Sequence, residues 1–420
     1  MAEKAAPLLL LSRRFAPLFA CQFFSAFNDN FLKTALVFLI LFGAREESEA
    51  LITAASAIFI APYFFLSGLG GELADRNNKA LVAQRLKLAE IAVAGVAVWG
   101  FMTGSFATLF VALFGFGVIA ALFGPIKYGI LPDHLRREEL TSGNALVEAA
   151  TFIAILSGTI AGGRTNLVTS SLWVVVFAVL CWLSSLAIPP TQIGAPGLPV
   201  SFNILRSTLA MIRHLRADAR LWWGAMVTSW FWTVGIVALA LLPPLIKRYI
   251  GGNENTVTAY LALFSIAVGA GSALAALIAR GRIVLTTTLV GAGLMALFAL
   301  DIGISVMGAP PVQSLRGPEE IFAASLGLRA AIDLAGLALG GGLFIVPAFA
   351  AVQAWSAIAY RARTVAAVNV LNAAFMTGAT VVTAIAQKMG ATIPQLFLAV
   401  GLCGALVTIA VWRTIPRDTA

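Results

Sequence analysis

Charged residues are scarce in this sequence. Asp, Glu, Lys and Arg make up 11% of its 420 residues, against about 25% in an ordinary soluble domain. Hydrophobic residues make up 60%, more than the interior of a soluble globule of this size accommodates. The composition therefore excludes a water-soluble protein and predicts a chain that works inside a membrane.

Histidine and cysteine are also rare. The two histidines, His134 and His214, and the three cysteines, Cys21, Cys181 and Cys403, lie far apart and show no metal-ligand or redox spacing. The sequence also lacks a G-x-S-x-G elbow, an H-E-x-x-H pair and a Walker lysine loop. We therefore expect no metal, no cofactor and no enzyme activity.

Basic residues outnumber acidic ones, 28 to 19, which gives a formal net charge of +9. In a soluble protein this excess would suggest nucleic-acid binding, but in a membrane chain it usually marks the cytoplasmic loops. Placing both termini in the cytoplasm puts most of the basic residues on that side, among them Arg85 and Lys87 after crossing two. We therefore expect cytoplasmic termini and no nucleic-acid partner.

Hydropathy divides most of the chain into segments that can cross a bilayer, each of about 20 apolar residues or more. The twelve predicted crossings are 15–42, 49–71, 81–103, 106–126, 144–163, 168–188, 221–246, 256–279, 285–307, 325–349, 366–387 and 393–413. They predict an all-α integral membrane fold.

The two halves of the chain resemble each other weakly. For example, Gly-Pro at 124–125 is echoed by Val-Pro at 346–347. Such echoes favour two six-helix bundles with a site between them, as in a rocking transporter. We predict an N-terminal bundle at 1–188, a cytoplasmic linker at 189–220 and a C-terminal bundle at 221–420.

The linker carries apolar residues at helical spacing. They are Phe202, Leu205, Leu209, Ile212 and Leu215. Arginines alternate with them at positions 206, 213, 216 and 220. This pattern predicts an amphipathic helix on the cytoplasmic surface with arginines near lipid phosphates, and a solvated connector is the alternative.

Four polar residues fall at the middle of the first crossing: Asn28, Asp29, Asn30 and Lys33. A charged side chain at the bilayer centre costs on the order of 2.5–3.5 kcal/mol, so these residues are expected to face a cavity or other helices. Asp29 and Lys33 are four apart and share one helix face. Either they neutralise each other, or they form a charge pair that a zwitterionic ligand or a proton opens.

Further charges are predicted to face the same space: Lys127, Glu148, Arg329 and Asp333. Lys127 follows Gly124-Pro125, where we expect crossing four to break. Lys127 and Arg329 have long side chains that can instead reach lipid headgroups from the helix ends. The shorter carboxylate side chains of Glu148 and Asp333 lack that option and are the better candidates for a substrate site.

The loop after crossing two reads GELADRNNK at 71–79. It resembles the G-x-L-A-D-R-x-G-R-K loop of the major facilitator superfamily, with asparagine in place of the second glycine. The resemblance implies the superfamily fold and a gate in which Gly71 permits close helix approach. It also implies that Asp75, Arg76 and Lys79 hold the cytoplasmic side shut. Charges kept only for topology are the alternative.

Four stretches resemble a narrower family, the bacterial lysophospholipid transporters. They read QFFSAFNDN at 22–30, PIKYGIL at 125–131, NALVEA at 144–149 and GGLFIVP at 341–347. They are also similar to the transporter portion that some bacteria fuse to an acyltransferase and an acyl-carrier-protein synthetase. The resemblance implies a flippase of the inner membrane that moves lysophosphatidylethanolamine-type lipids from the outer to the inner leaflet. There, an acyltransferase partner would reacylate them.

A lysolipid headgroup carries a phosphate and often an ammonium group, which hydrocarbon excludes. The headgroup roles assigned here are Asp29 and Glu148 for the ammonium, Lys33, Lys127 or Arg329 for the phosphate, and Asn28 and Asn30 for the ester and glycerol oxygens. The tail is assigned to Phe23, Phe27 and Phe31, or to the lipid between the bundles.

Two positions depart from the family pattern. Lys33 stands where stand-alone members carry an apolar residue, and Leu239 stands near a family arginine. Lys33 is therefore expected to replace the missing positive charge and to alter headgroup selection. Two other functions stay open: a proton-coupled exporter of amphiphilic small molecules that titrates at Asp29, and a membrane scaffold for an acyltransferase that transports nothing.

Overall fold

The computed structural model describes residues 9–43, 48–201, 203–309 and 312–416. These residues are helical apart from short connections, and their extended pairing is limited to one bridge between Gly252 and Arg316. In this part of the chain, twelve helices are long and apolar enough to cross a membrane. The predicted all-α, multi-pass membrane architecture is confirmed.

The twelve long helices are numbered in chain order. They are α1 (Ala16–Gly43), α2 (Ser48–Arg76), α3 (Lys79–Thr103), α4 (Phe106–His134), α5 (Leu140–Gly162), α6 (Leu167–Leu186), α7 (Ala219–Leu245), α8 (Glu254–Ala279), α9 (Thr286–Met307), α10 (Ser325–Trp355), α11 (Arg361–Lys388) and α12 (Ile393–Thr414). A linker helix (Ile204–Ala217) precedes α7, a π-helical turn (Ile246–Ile250) follows it, and a short helix (Pro318–Ala323) precedes α10.

Helix α4 does not break at Gly124-Pro125, so that prediction is wrong. The helix continues through Pro125 and Pro132 to His134. Membrane helices tolerate proline because neighbouring groups satisfy the carbonyl that the missing N–H leaves free. Gly124 has a separate role, since a Cβ there would lie 2.9 Å from the amide nitrogen of Asn369.

The described helices form two compact units. The first contains 1–143, 153–222 and 352–373, and the second contains 144–152, 223–351 and 374–420. Residues 352–373 therefore pack with the first unit although they come late in the chain. The predicted division into bundles at 1–188 and 221–420 stays a prediction.

Aromatic and small residues pack the first unit. Phe27 and Phe31 of α1 lie in its core. Two glycines of α5 allow that helix to touch α1, since a Cβ at Gly158 or Gly162 would lie within about 2.5 Å of the carbonyl oxygens of Phe27 and Phe31. The glycines thus let two backbones approach at the level of the polar residues of α1.

Glycines play the same part in the second unit. A Cβ at Gly291 of α9 would lie 2.5 Å from the carbonyl oxygen of Gly340 in α10. A Cβ at Gly342 of α10 would lie 2.4 Å from the carbonyl oxygen of Val268 in α8. Helix α10 therefore touches α8 and α9 almost backbone to backbone.

The linker forms the predicted helix at Ile204–Ala217, but the apolar residues do not share one environment. Ser207, Thr208, Met211 and Leu215 are buried, whereas Leu205 and Leu209 are exposed. The buried face packs against α2. Phe202 lies outside the described residues. Placement of the exposed face near lipid phosphates stays a prediction.

Candidate functional site

The polar residues of α1 divide between two faces of the helix. Asn28 is fully buried and donates from Nδ2 to the carbonyl oxygen of Val174 in α6, at 3.0 Å. Asp29, Asn30 and Lys33 keep partial exposure. The Asn28 amide nitrogen therefore ties α1 to α6, and the other three side chains remain accessible to a ligand.

The aromatic residues assigned to the lipid tail are used in packing instead. The Phe27 ring stacks on Phe177 of α6 at 4.0 Å between centroids, and Phe31 stacks on Phe27 at 6.0 Å. Both side chains are buried. Only Phe23 of the three keeps partial exposure, so a tail along Phe27 and Phe31 does not fit the structure.

Asp29 and Lys33 do not form an ion pair among the described residues. Lys33 instead donates from Nζ to Oδ1 of Asn30 at 3.2 Å, and Asn30 donates to the carbonyl oxygen of Ala26 at 2.8 Å. Asn30 thus holds the lysine ammonium on its side of the helix. The interpretation in which the two charges neutralise each other directly finds no support.

Sequence reasoning missed a buried ion pair on α3. Lys87 and Glu90 are almost fully buried, and Lys87 Nζ lies 2.5 Å from Oε2 of Glu90. Lys87 also donates to Ser25 of α1 at 2.7 Å and lies 4.3 Å from the ring centre of Phe123. The available signal was the i,i+3 spacing of opposite charges inside a crossing, but Lys87 was counted with the cytoplasmic basic residues.

Several charged groups of the first unit surround Asp29. Lys33, Lys87, Glu90 and Lys127 all act electrostatically on its carboxyl group. Lys127 lies inside α4, partly exposed, with Nζ 4.6 Å from the ring centre of Tyr128. The first unit therefore gathers cationic and anionic side chains from α1, α3 and α4, which is the charge pattern that a zwitterionic headgroup requires.

The remaining predicted substrate residues belong to the second unit. Glu148 is buried there. Arg329 forms a two-pronged ion pair with Asp301 of α9, at 2.6 and 3.1 Å, and Asp333 lies buried one helical turn beyond Arg329. Arg329 thus already has a protein partner. Asp301, which was not among the predicted site residues, completes their cluster.

The predicted gate residues Gly71 and Asp75 meet the start of α11. The Asp75 carboxylate accepts hydrogen bonds from the backbone N–H of Ala362 at 2.9 Å and of Arg363 at 3.2 Å, and from Nε of Arg363 at 3.0 Å. A carboxylate at this position satisfies free N–H groups and complements the helix dipole. At Gly71, a Cβ would lie 2.7 Å from Cβ of Ala366.

Lys79 belongs to an ion-pair network that is separate from the Asp75–Arg363 pair. The side chain of Arg76 belongs to neither of them. Lys79 Nζ lies 2.8 Å from Asp133, whose other carboxylate oxygen lies 2.8 Å from Nη1 of Arg361. Arg76 is exposed and forms no hydrogen bond or ion pair with the residues that the structure describes. Arg363 therefore supplies the cation that pairs with Asp75, a role that was predicted for Arg76.

The linker contacts the C-terminal end of α2. Glu72 accepts hydrogen bonds from the backbone N–H of Ser201 at 2.8 Å and from the hydroxyl of Ser207. The N–H of Ala195 donates to the carbonyl oxygen of Asp75 at 2.7 Å. The C-terminal end of α2, the start of α11, the Lys79–Asp133–Arg361 network and the linker thus form one connected set of contacts, which we call the latch.

The described helices define a multi-pass membrane protein, and comparison with known proteins gives its family. The Major Facilitator Superfamily matches residues 18–315, and the chain belongs to it. Membership of this transporter family identifies the chain as a membrane transporter.

Two relatives in sequence carry the name lysophospholipid transporter LplT. The protein from Pectobacterium carotovorum subsp. carotovorum (strain PC1) is 32% identical over 286 residues, which are 64% of this chain and 66% of that protein. The protein from Yersinia pestis (strain Pestoides F) is 31% identical over 278 residues, 63% of this chain and 65% of that protein. The match thus spans slightly less than two thirds of each relative.

Solved structures share the fold at low sequence identity. The human organic anion transporter MFSD10 (TETRAN) is 15% identical, with a TM-score of 0.76 over 94% of this chain and 98% of that chain. The transporter FucP in its outward conformation is 13% identical, with a TM-score of 0.71 over 96% of this chain and 98% of that chain. These similarities establish the fold alone.

Proposed function

We propose that this protein is a lysophospholipid transporter of the bacterial inner membrane. Its cargo would be lysophosphatidylethanolamine-type lipids, moved from the outer to the inner leaflet by alternating access. The observation that carries the proposal is the identity of 32% over 286 residues with a relative of that name. The charged cluster around Asp29 supports it, because it offers both signs of charge to a zwitterionic headgroup.

The headgroup faces the larger barrier in flipping. Moving its phosphate and ammonium through hydrocarbon without partners costs several kcal/mol or more, whereas the tail already lies in hydrocarbon. In our proposal Asp29 attracts the ammonium and Lys33 or Lys127 binds the phosphate. Asn30, which already bonds to Lys33, contributes its amide to the ester and glycerol oxygens. A role of Glu148 in binding the ammonium stays a prediction.

Three other predicted substrate residues are buried or bound to protein groups. Asn28 binds the carbonyl of Val174, and Arg329 and Asp333 belong to the Asp301 cluster. These side chains are buried or already paired with protein groups. We therefore propose that the headgroup site centres on Asp29, Asn30, Lys33 and Lys127, and that Asn28, Arg329 and Asp333 stabilise contacts between helices of their own units.

We propose that the latch holds the cytoplasmic side closed in one state of the cycle. The excess of basic residues supports a cytoplasmic position for both termini and the latch. Opening that side would separate Asp75 from the start of α11 and break the Lys79–Asp133–Arg361 network. The released lipid would reach the inner leaflet, where a lysophospholipid acyltransferase is the proposed partner.

The test is a leaflet-transfer assay in liposomes that contain the purified protein. Fluorescent lysophosphatidylethanolamine is added outside, and its protection from a membrane-impermeant quencher is followed with and without ion gradients. Faster transfer than in protein-free liposomes is expected. Transfer no faster than in protein-free liposomes would contradict the proposal. Protonophore-sensitive transport of other amphiphiles, with no response to lysolipid, would instead identify an exporter.

A further inference from the structure

A cavity of about 590 Å³ lies in the second unit, where α7 and α11 end and α12 begins. Its volume falls within the about 300–1,000 Å³ that is typical of small-molecule sites. Four polar residues line it: Arg248, Tyr249, Gln387 and Thr392. None of them belongs to the headgroup site around Asp29, so this cavity, which we call the Arg248 cavity, is a separate candidate site.

The Arg248 cavity carries positive charge. Arg248 lies in its wall, Lys247 precedes Arg248, and Lys388 follows the lining residue Gln387. All three basic side chains are exposed, and none forms an ion pair with the residues that the structure describes. The residues that line the cavity include no acidic side chain. The positive charge is therefore uncompensated and attracts an anion.

Neutral hydrogen-bond donors stand beside the arginine. The Thr392 hydroxyl oxygen accepts the backbone N–H of Gln395 in the capping box that begins α12, which leaves the hydroxyl hydrogen available to donate. The Gln387 amide and the Tyr249 hydroxyl are further donors in the lining. A planar guanidinium with amide and hydroxyl donors around it suits phosphate, whose oxygens accept several hydrogen bonds at once.

The wall of the Arg248 cavity changes from charged to apolar along α7. Pro244 and Ala240 line it about one and two helical turns before Arg248. With both termini in the cytoplasm, as we propose, α7 and α11 end and α12 begins at the outer surface of the membrane. The charged end then lies at the level of the lipid headgroups, and the apolar end points toward the hydrocarbon. A phosphate that carries an acyl chain matches this order better than a free anion.

We propose that the Arg248 cavity binds the phosphate group of a phospholipid from the outer leaflet. Arg248 binds the phosphate oxygens, and Gln387 and Thr392 donate hydrogen bonds to them. The acyl chain leaves along Pro244 and Ala240 toward the hydrocarbon. The site does not require that the protein transports lysolipid, so it is tested separately from the proposed function.

Photoaffinity labelling of the full-length protein in a non-ionic detergent tests the proposal. The probe is lysophosphatidylethanolamine with a diazirine on its chain near the glycerol. The wild type should be labelled within residues 240–249 and 387–393. Arg248→Gln should reduce this labelling about tenfold, because hydrogen bonds from a charged group are lost. Arg413→Gln, which alters an exposed arginine at the other end of α12, should keep the wild-type labelling.

A second variant guards against misfolding of Arg248→Gln. Ala240→Phe fills the apolar part of the cavity without a change of charge, and Ala240 is exposed enough to accept a larger side chain. It should also reduce the labelling. Reduced labelling in Arg248→Gln and Ala240→Phe, with retention in Arg413→Gln, would support the proposal.

Two further probes distinguish a lipid phosphate from other ligands. A monoacylglycerol with the same diazirine chain lacks the phosphate, so it should label the wild type and Arg248→Gln equally. Inorganic phosphate at the concentration of the lipid probe should leave the labelling unchanged, and its abolition would assign the cavity to a free anion and overturn the lipid site. Wild-type labelling only elsewhere, or unchanged labelling in a folded Arg248→Gln or Ala240→Phe protein, would also overturn it.

Discussion

Single charged residues in this protein depend on partners from other parts of the chain. Lys87 and Glu90 lie on one helix, but Lys87 also binds Ser25 of α1 and faces the ring of Phe123 in α4. Burying two charges is expensive, and mutual attraction offsets the cost only while both are present. The pair therefore makes the three helices dependent on one another.

Replacing Lys87 with Met should destabilise the protein by about 3–5 kcal/mol, because the Glu90 carboxylate is left buried and unpaired. The double replacement Lys87→Met with Glu90→Leu should recover a large part of this loss. Thermal unfolding in detergent measures both variants. If the double variant were as unstable as Lys87→Met alone, the buried charge would not be the cause.

The sequence predicted which charges are unusual more reliably than it predicted their partners. Asp29 and Lys33 were identified because charge inside an apolar run is costly, and Asp75 was identified by the loop that resembles the superfamily motif. The cost argument failed for Lys87, since this residue, near the start of a predicted crossing, was counted with the cytoplasmic basic residues. The motif also suggested Arg76 for the latch, because Arg363 is 288 residues from Asp75 in sequence and pairs of that kind leave no local pattern.

Among the helices, the latch depends on the N-terminal end of α11. Asp75 accepts two backbone N–H groups of α11 in addition to the Arg363 side chain. Asp75 therefore caps the N-terminal end of α11 from a distant segment of the chain. A neutral side chain at this position would lose the interaction with the helix dipole. Gly71 completes the contact by leaving room for Ala366.

Asp75→Asn should lower the transport rate several-fold, because the amide is neutral and one of its two polar atoms cannot accept a hydrogen bond. Arg76→Ala should keep the wild-type rate, since the Arg76 side chain is exposed and lies outside both described networks. Initial rates of lysolipid transfer by the two variants, at matched protein content, check this. Equal loss in both variants would refute the assignment of the latch to Arg363.

Helix boundaries show where hydropathy stops being informative. The predicted crossing at 106–126 ends where Lys127 begins the less apolar segment, yet α4 continues to His134. Likewise, α10 extends beyond the predicted end at 349 to Trp355. Hydropathy marks the residues that lie in the hydrocarbon core of the membrane. A helix continues beyond them for as long as its backbone hydrogen bonds and side-chain contacts are formed. Residues of the latch such as Asp133 lie in these extensions.

At the scale of the whole molecule, composition and hydropathy were sufficient for the fold class. Every predicted crossing corresponds to one of the twelve long helices of the described chain. Which helices pack together was not predicted, because the glycines at 158, 162, 291 and 342 reveal close approach but not the partner. The charges that act on Asp29 were grouped only once the structure placed Lys87 of α3 against Ser25 of α1 and packed α4 on α1.

We propose that the charged cluster around Asp29 binds the lysolipid headgroup, and a comparison of three proteins measures the contribution of Asp29. Leaflet transfer of labelled lysophosphatidylethanolamine is measured for liposomes containing the wild type, Asp29→Ala or Asp218→Ala at equal protein content. We predict that Asp29→Ala reduces the initial rate at least about tenfold, the equivalent of about 1.4 kcal/mol, while Asp218→Ala retains the wild-type rate. An unchanged rate in a folded Asp29→Ala protein would exclude Asp29 from headgroup binding.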